Sequence, residues 1–203
     1  MKSDQRTIDE PVELPSDFVE HMATVSGIDA SATTLEEWWE AVAEQYSAEE
    51  ITVELSDLYS EPPTRHEVHV NGRVRYAHCA LDALEAAVTE EQSPVTVRSI
   101  DPLTGTPVTF TVHEDAVEVS PEEALICFGS TIDPDDVDDV GSLPAWSVQD
   151  DLSEVKESVC QYTNAFESGK TYEQWAAETE SLTAPLPPKK VVPLLRELPS
   201  GRN

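Results

Sequence analysis

The stretch that most constrains this chain is HEVHV-NG-RVRYAH, residues 66–78, which runs directly into CALDALEAAV. Two alternating runs flank Asn71-Gly72, a dipeptide that tolerates positive φ at both turn positions and so closes a two-residue type I′ hairpin. Just past the second strand the period becomes helical. This predicts a helix over ALDALEAAV with Cys79 at its start. PVTVRSI and PVTFTV, on either side of DPLTGT, predict a second hairpin, and VEV and ALICFGS add shorter strands.

Helices are expected on both sides of this strand-rich region. Residues 1–15 are polar, contain Pro11 and Pro15, and read as a loose leader. A first helix should follow Ser16, with Phe18, Val19 and Met22 as its apolar stripe and Gly27 as its stop. Thr34 then caps TLEEWWEAVAEQY: Glu37 stands three residues on, as a capping box requires, and Leu35, Trp38, Trp39 and Val42 recur at helical spacing. These tryptophans read as core. ITVELSDLY fits a third helix or a strand equally well. LSEVKESVCQYTNAF begins as a helix and loses its pattern near Cys160, TYEQWAAETESL is helical, and PPKKVVPLLREL is a last helix bent or broken at Pro193.

A chain of 203 residues can build one core with a small N-terminal subdomain, because single domains run about 100–200 residues. The expected fold class is α+β: a largely antiparallel or mixed sheet with flanking helices, preceded by a small helical N-terminal region. The divisions fall at a leader over 1–15, a helical region over 16–60 and a main domain over 61–203.

Charge narrows the partners. The chain has 41 Asp and Glu against 12 Lys and Arg, a formal net charge of -29, yet keeps 39% hydrophobic residues, enough for a core. Such a charge repels phosphate backbones and anionic membranes, so neither nucleic acid nor membrane is expected as a partner. The acid is spread along the whole chain, as in a solvated acidic shell adapted to high salt, where short Debye lengths screen self-repulsion. DPDDVDDVG lacks the twelve-residue calcium loop with its final Glu and reads as a solvated surface loop. The N-terminus carries no apolar signal region and no stretch approaches the roughly 20 apolar residues of a membrane span, so a soluble cytoplasmic protein is expected.

Cys79, Cys127 and Cys160 are odd in number and widely spaced, which fits neither a disulfide scaffold nor a paired zinc framework. Cys127, within ALICFGS, reads as core. At a helix start Cys79 would feel the backbone dipole and free N–H groups, which lower a thiol's pKa, and Asp82 at i+3 would share its face. That pairing suits chemistry needing a soft nucleophile beside a proton carrier, since thiolates hold Hg, Cu(I) and Zn while a carboxylate holds or delivers a proton. The same residues also fit an inert thiol packed inward beside a carboxylate facing water. His66, His69, His78 and His113 invite a metal reading, but positions 66 and 69 of a strand face opposite sides, and these histidines read as surface or packing.

RYAHCALDAL, then VRSIDPLTGTPVTFTV, then SVCQYTNAF followed by TYEQWAAET, resembles the alkylmercury lyase (organomercurial lyase) family in order and spacing, over roughly residues 65 to 182. The resemblance implies an enzyme that cleaves the carbon–mercury bond to give a hydrocarbon and Hg(II), with Cys79, Asp82 and Cys160 as its catalytic set. Both cysteines would hold the mercury and Asp82 would carry the proton. It implies no cofactor, because mercury is substrate and product, and an external Hg(II) acceptor, either low-molecular-weight thiols or a mercuric reductase. Some family members carry further cysteines at the positions matched by Gln161 and near Asp101; this chain does not. Residues 16–60 match the family's winged-helix-like module only loosely. A non-catalytic mercury or copper carrier or sensor would use the same thiols, and an acidic interaction protein would use none of them.

Overall fold

The computed structural model describes residues 10–133, 135, 144–145 and 153–199. Most of the acidic loop DPDDVDDVG and the first nine residues of the leader lie outside the described residues. The described residues form seven helices and nine strands, in an α+β arrangement in which each of these strands pairs antiparallel. No helix of the described residues is long and apolar enough to cross a membrane.

Local sequence explains the N-terminal helices. Helix α1, Ser16–Ser26, buries Phe18, Val19, Met22 and Val25 and stops at Gly27, whose φ of 70° is the left-handed cap that glycine supplies without a Cβ clash. Helix α2, Leu35–Ala48, opens on the expected capping box of Thr34 and Glu37 and buries Leu35, Trp38, Trp39, Val42 and Tyr46. Trp38 then packs between Phe18, at 6.0 Å between ring centroids, and Phe128, at 5.6 Å. ITVELSDLY contains both elements, a one-turn helix α3, Leu55–Leu58, and a two-residue strand β1, Tyr59–Ser60.

The first hairpin is β2, His66–Val70, and β3, Arg73–Ala77, with Asn71 at φ 54° and Gly72 at φ 70°, as a type I′ turn needs. Strands β4, Val95–Ile100, β5, Pro107–Val112, and β6, Val117–Ser120, complete a six-stranded sheet in the order β1-β3-β2-β4-β5-β6. Alternation sends Val68, Val95, Val97, Val108 and Phe110 inward. His66 is buried with them and is satisfied by Ser99 Oγ at 3.0 Å from its Nδ1, which fits the packing role expected of it. Helix α4, Ala80–Thr89, lies against this sheet, and its small residues Ala80, Ala83, Ala86 and Ala87 permit the close approach.

A second sheet, of order β8-β7-β9, consists of β7, Leu125–Ser130, β8, Ala165–Phe166, and β9, Leu182–Leu186. Helix α5, Ser153–Cys160, precedes β8, and α6, Gly169–Ala176, follows it. The helical pattern expected through Leu182 stops at Ala176, because Leu182 pairs with Ser130 as the start of β9. Helix α7, Pro188–Leu195, takes Pro188 at its first turn and stays helical through Pro193.

Candidate active site

The site is assembled where the start of α4 meets the end of α5. Cys79 is the N-cap of α4: its Sγ accepts from the backbone N–H of Asp82 at 3.3 Å, in the manner of a capping hydroxyl. Helix α5 ends at Cys160, and the chain after it is held on two sides. Ala80 N–H donates to Thr163 O at 3.1 Å, and Cys127 N–H donates to Asn164 O at 2.9 Å. Cys127 is fully buried, as core was expected to be, and its thiol donates to Tyr162 O at 3.1 Å, so it holds the backbone that carries Cys160.

This clamp brings the three residues singled out from the sequence together. Cys160 Sγ lies 3.8 Å from Asp82 Oδ2, as donor to acceptor, and one ligand atom from each of Cys79, Asp82 and Cys160 falls within 4.8 Å of the others. Cys79 is buried, whereas Asp82 and Cys160 are partly exposed. The cluster opens to a semi-enclosed pocket with about 590 Å³ of empty space, part of it continuous with solvent. Trp38, Trp39, Val42, Phe128 and Leu198 make much of its wall apolar. The two tryptophans are therefore core and pocket wall at once.

Electrostatics correct one expectation. Cys79 does sit at a helix start and does receive an N–H, but its thiol is held well above its ordinary pKa, because burial outweighs that hydrogen bond and Cys160 and Asp82 add to the upward push. Cys160 is drawn down by its hydrogen bond with Cys79, yet burial and the Asp82 charge leave it raised. Protein atoms crowd the Asp82 carboxyl closely enough for burial to raise it, although Lys156 and His78 oppose the shift. Without metal the cluster therefore favours protonated thiols.

Glu85 and Lys156, which the sequence did not single out, also line the pocket. Burial, with the Asp82 charge second, pushes the Glu85 carboxyl up to about 8, and Lys156 partly offsets this. Lys156 Nζ donates to Asp57 O at 2.6 Å. The i+3 spacing from Asp82 to Glu85 was the available signal, since it places both on one helical face. His69 pairs with Glu67 at 2.8 Å and His113 faces Glu118 at 3.6 Å, and neither belongs to the cluster.

Two thiols and a carboxylic acid converging in an apolar pocket of an α+β protein form a group whose ligand atoms could hold a soft metal ion beside an acid. Comparison with known proteins makes the assignment specific. A family model described as alkylmercury lyase matches residues 59–199, and the chain belongs to that family. A solved structure titled as the mercury-bound form of MerB2 is similar at 17% identity, covering 91% of this chain and 90% of that chain, with a TM-score of 0.49. No curated protein matches the chain.

Proposed function

We propose that this protein is an organomercurial lyase that cleaves carbon–mercury bonds by protonolysis, with Cys79, Cys160 and Asp82 as the reacting groups. The observation that carries this is the convergence of those three side chains within 4.8 Å in an apolar pocket, in a chain of the alkylmercury lyase family.

The raised thiol pKa values suit the chemistry, because a soft metal displaces the thiol proton as it binds, and that proton is what the reaction consumes. One thiol takes R–Hg–X, forming S–Hg–R and releasing HX. The second thiol binds the same mercury and passes its proton to Asp82, the nearest acceptor. Two sulfurs donating to mercury place negative charge on the bound carbon, and the Asp82 acid delivers its proton there. R–H leaves, Hg(II) remains between the two sulfurs, and Asp82 returns to carboxylate. External thiols then exchange for Cys79 and Cys160, which recover protons from those thiols. Mercury is substrate and product throughout, so the scheme uses no resident cofactor. The residues before 60 that line the pocket, Trp38, Trp39, Val42 and Tyr46, keep water from the reacting carbon.

The test is conversion of phenylmercury to benzene and Hg(II) with excess thiol, in high salt so that a chain of charge -29 stays folded. Turnover that is lost in Cys79→Ser and in Cys160→Ser supports the proposal, and full activity in either variant rejects it. Stoichiometric Hg(II) or Cu(I) binding with no hydrocarbon release would instead make the protein a carrier or sensor.

A further inference from the structure

A second cavity also reaches the cluster. It holds about 1250 Å³ of empty space, part of it continuous with solvent, and Arg65, His78, Gln161 and Asn164 stand on its wall. His78 and Cys79 are consecutive, yet of the two cavities His78 borders this cleft and Cys79 borders the apolar pocket, so the chain there runs between them. Cys160 is the one member of the cluster that borders both. It is also partly exposed, whereas Cys79 is buried.

The two cavities suit different molecules. Trp38, Trp39, Val42 and Phe128 make the apolar pocket a place for an organic group and a costly one for a charge. The cleft is the reverse. No described Asp or Glu lines it, in a chain that has 41 of them, and its wall carries the cation Arg65. Arg65 is exposed, and no described carboxylate forms an ion pair with it. A guanidinium left without an acid matches a carboxylate in both charge and shape. The chain's net charge of -29 repels anions at large, so an anion that reaches mercury needs a local cation to hold it.

Resting on the lyase reading for the mercury that has to be removed, we propose that this cleft binds the external thiol. Its ligand is a low-molecular-weight thiol bearing a carboxylate, with Arg65 holding the carboxylate and Cys160 as the first sulfur replaced. The S–H bond of the incoming thiol breaks, its sulfur bonds to mercury, the bond from mercury to Cys160 breaks, and the proton passes to Cys160. A second thiol displaces Cys79 in the same way, and Hg(II) leaves with two external thiolates. The buried sulfur goes last. Entry through the cleft keeps the charged thiol out of the apolar pocket, which remains the place of the organic group.

The experiment loads the protein directly with Hg(II) in high salt and measures the rate of its release to 3-mercaptopropionate, which carries a carboxylate, and to 2-mercaptoethanol, which does not. The ratio of the two rates is taken within one protein sample, and dividing a variant's ratio by that of the wild type cancels the intrinsic reactivity of each thiol. The ratio should fall at least about threefold in Arg65→Gln, within the range of one exposed ion pair. Gln161→Glu, which sets an acid on the cleft wall, should lower it by a similar factor and decides the matter if Arg65→Gln does not fold. Arg73→Gln, at the turn end of the first hairpin, changes the net charge by the same amount and should leave the ratio as in the wild type. A smaller fall in a folded cleft variant overturns the proposal, as does an equal fall in Arg73→Gln. Failure to cleave phenylmercury defeats the lyase reading and leaves this measurement intact, because Hg(II) is supplied directly. A protein that retains no Hg(II) overturns the cleft assignment as well.

Discussion

The backbone N–H of Ala80 donates to the carbonyl of Thr163 at 3.1 Å, joining the residue after one cysteine of the cluster to the third residue after the other. Cys79 and Cys160 are distant in sequence, and this bond fixes their separation through backbone, without relying on the reach of two flexible side chains. It also satisfies one of the N–H groups that every helix start leaves unpaired.

Ala80→Pro removes that bond and, because the ring Cδ takes the place of the N–H hydrogen against Thr163 O at a fully buried position, also pushes the segment after Cys160 away. Proline is well suited to the first turn of a helix, and Cys79 before it is already extended, at φ −142° and ψ 178°, as a residue preceding proline must be. Helix α4 should survive while Thr163 O loses its donor. The expected outcome is a loss of about 1–3 kcal/mol in chemical unfolding, unchanged helical circular dichroism, and weaker two-thiol Hg(II) binding by competition against a chelating dithiol.

Gly129 guards the other side of the same segment. A Cβ built there would lie 2.5 Å from Tyr162 O and 2.7 Å from Tyr162 Cβ, so backbone must move. Gly129→Ala should destabilise the fold by about 1–3 kcal/mol and shift the chain carrying Cys160. Urea unfolding measures the first effect. A fall in turnover larger than the loss of folded protein measures the second.

Much of this architecture is legible in the sequence, because local rules set it. Asn71-Gly72 fixes the first hairpin, Thr34 with Glu37 fixes the start of α2, and the i+3 spacing of Cys79 and Asp82 places that pair at one helix start. What stayed hidden depends on tertiary depth. The helix start suggested a lowered Cys79 thiol, but the enclosure that raises it comes from distant elements. Glu85 is one acid among 41 Asp and Glu, and although its i+3 spacing puts it on the face of Asp82, its burial comes from residues distant in sequence. The helical period of TYEQWAAETESL gave way where pairing with Ser130 drew Leu182 into a strand.

Glu85 also sets a pH dependence of stability. Its carboxyl is raised from 4.5 to about 8 on folding, so between those values the folded protein holds a proton that the unfolded chain releases. The stabilisation is fully present below pH 4.5 and is lost as pH rises towards 8, with a slope of up to about 1.4 kcal/mol per pH unit. Asp82, also raised by burial, acts in the same direction. His66, lowered to about 3 by burial, acts oppositely, adding stability as pH rises from 3 to 6.5. Denaturant midpoints across pH 4.5–8 in wild type and Glu85→Gln should therefore converge at the acid end and separate towards pH 8, with the variant the more stable.

In the proposed mechanism Asp82 is the residue at which metal capture and bond cleavage part. In Asp82→Asn the backbone N–H that caps Cys79 remains, both sulfurs remain, and the amide still fills the space of the carboxyl, so Hg(II) should bind with near-wild-type stoichiometry. The amide cannot relay a proton from thiol to carbon, and positioned acid catalysis of this kind contributes about 10²–10⁴-fold in rate. The expected variant takes up phenylmercury and holds it as a complex from which benzene is released at least 100-fold more slowly. Mass spectrometry of the intact complex, showing protein plus phenylmercury where the wild type shows protein plus mercury, is the direct readout. Wild-type benzene release from Asp82→Asn would move the proton donor elsewhere, and Glu85, one turn away on the same helix face, is the next acid in the pocket.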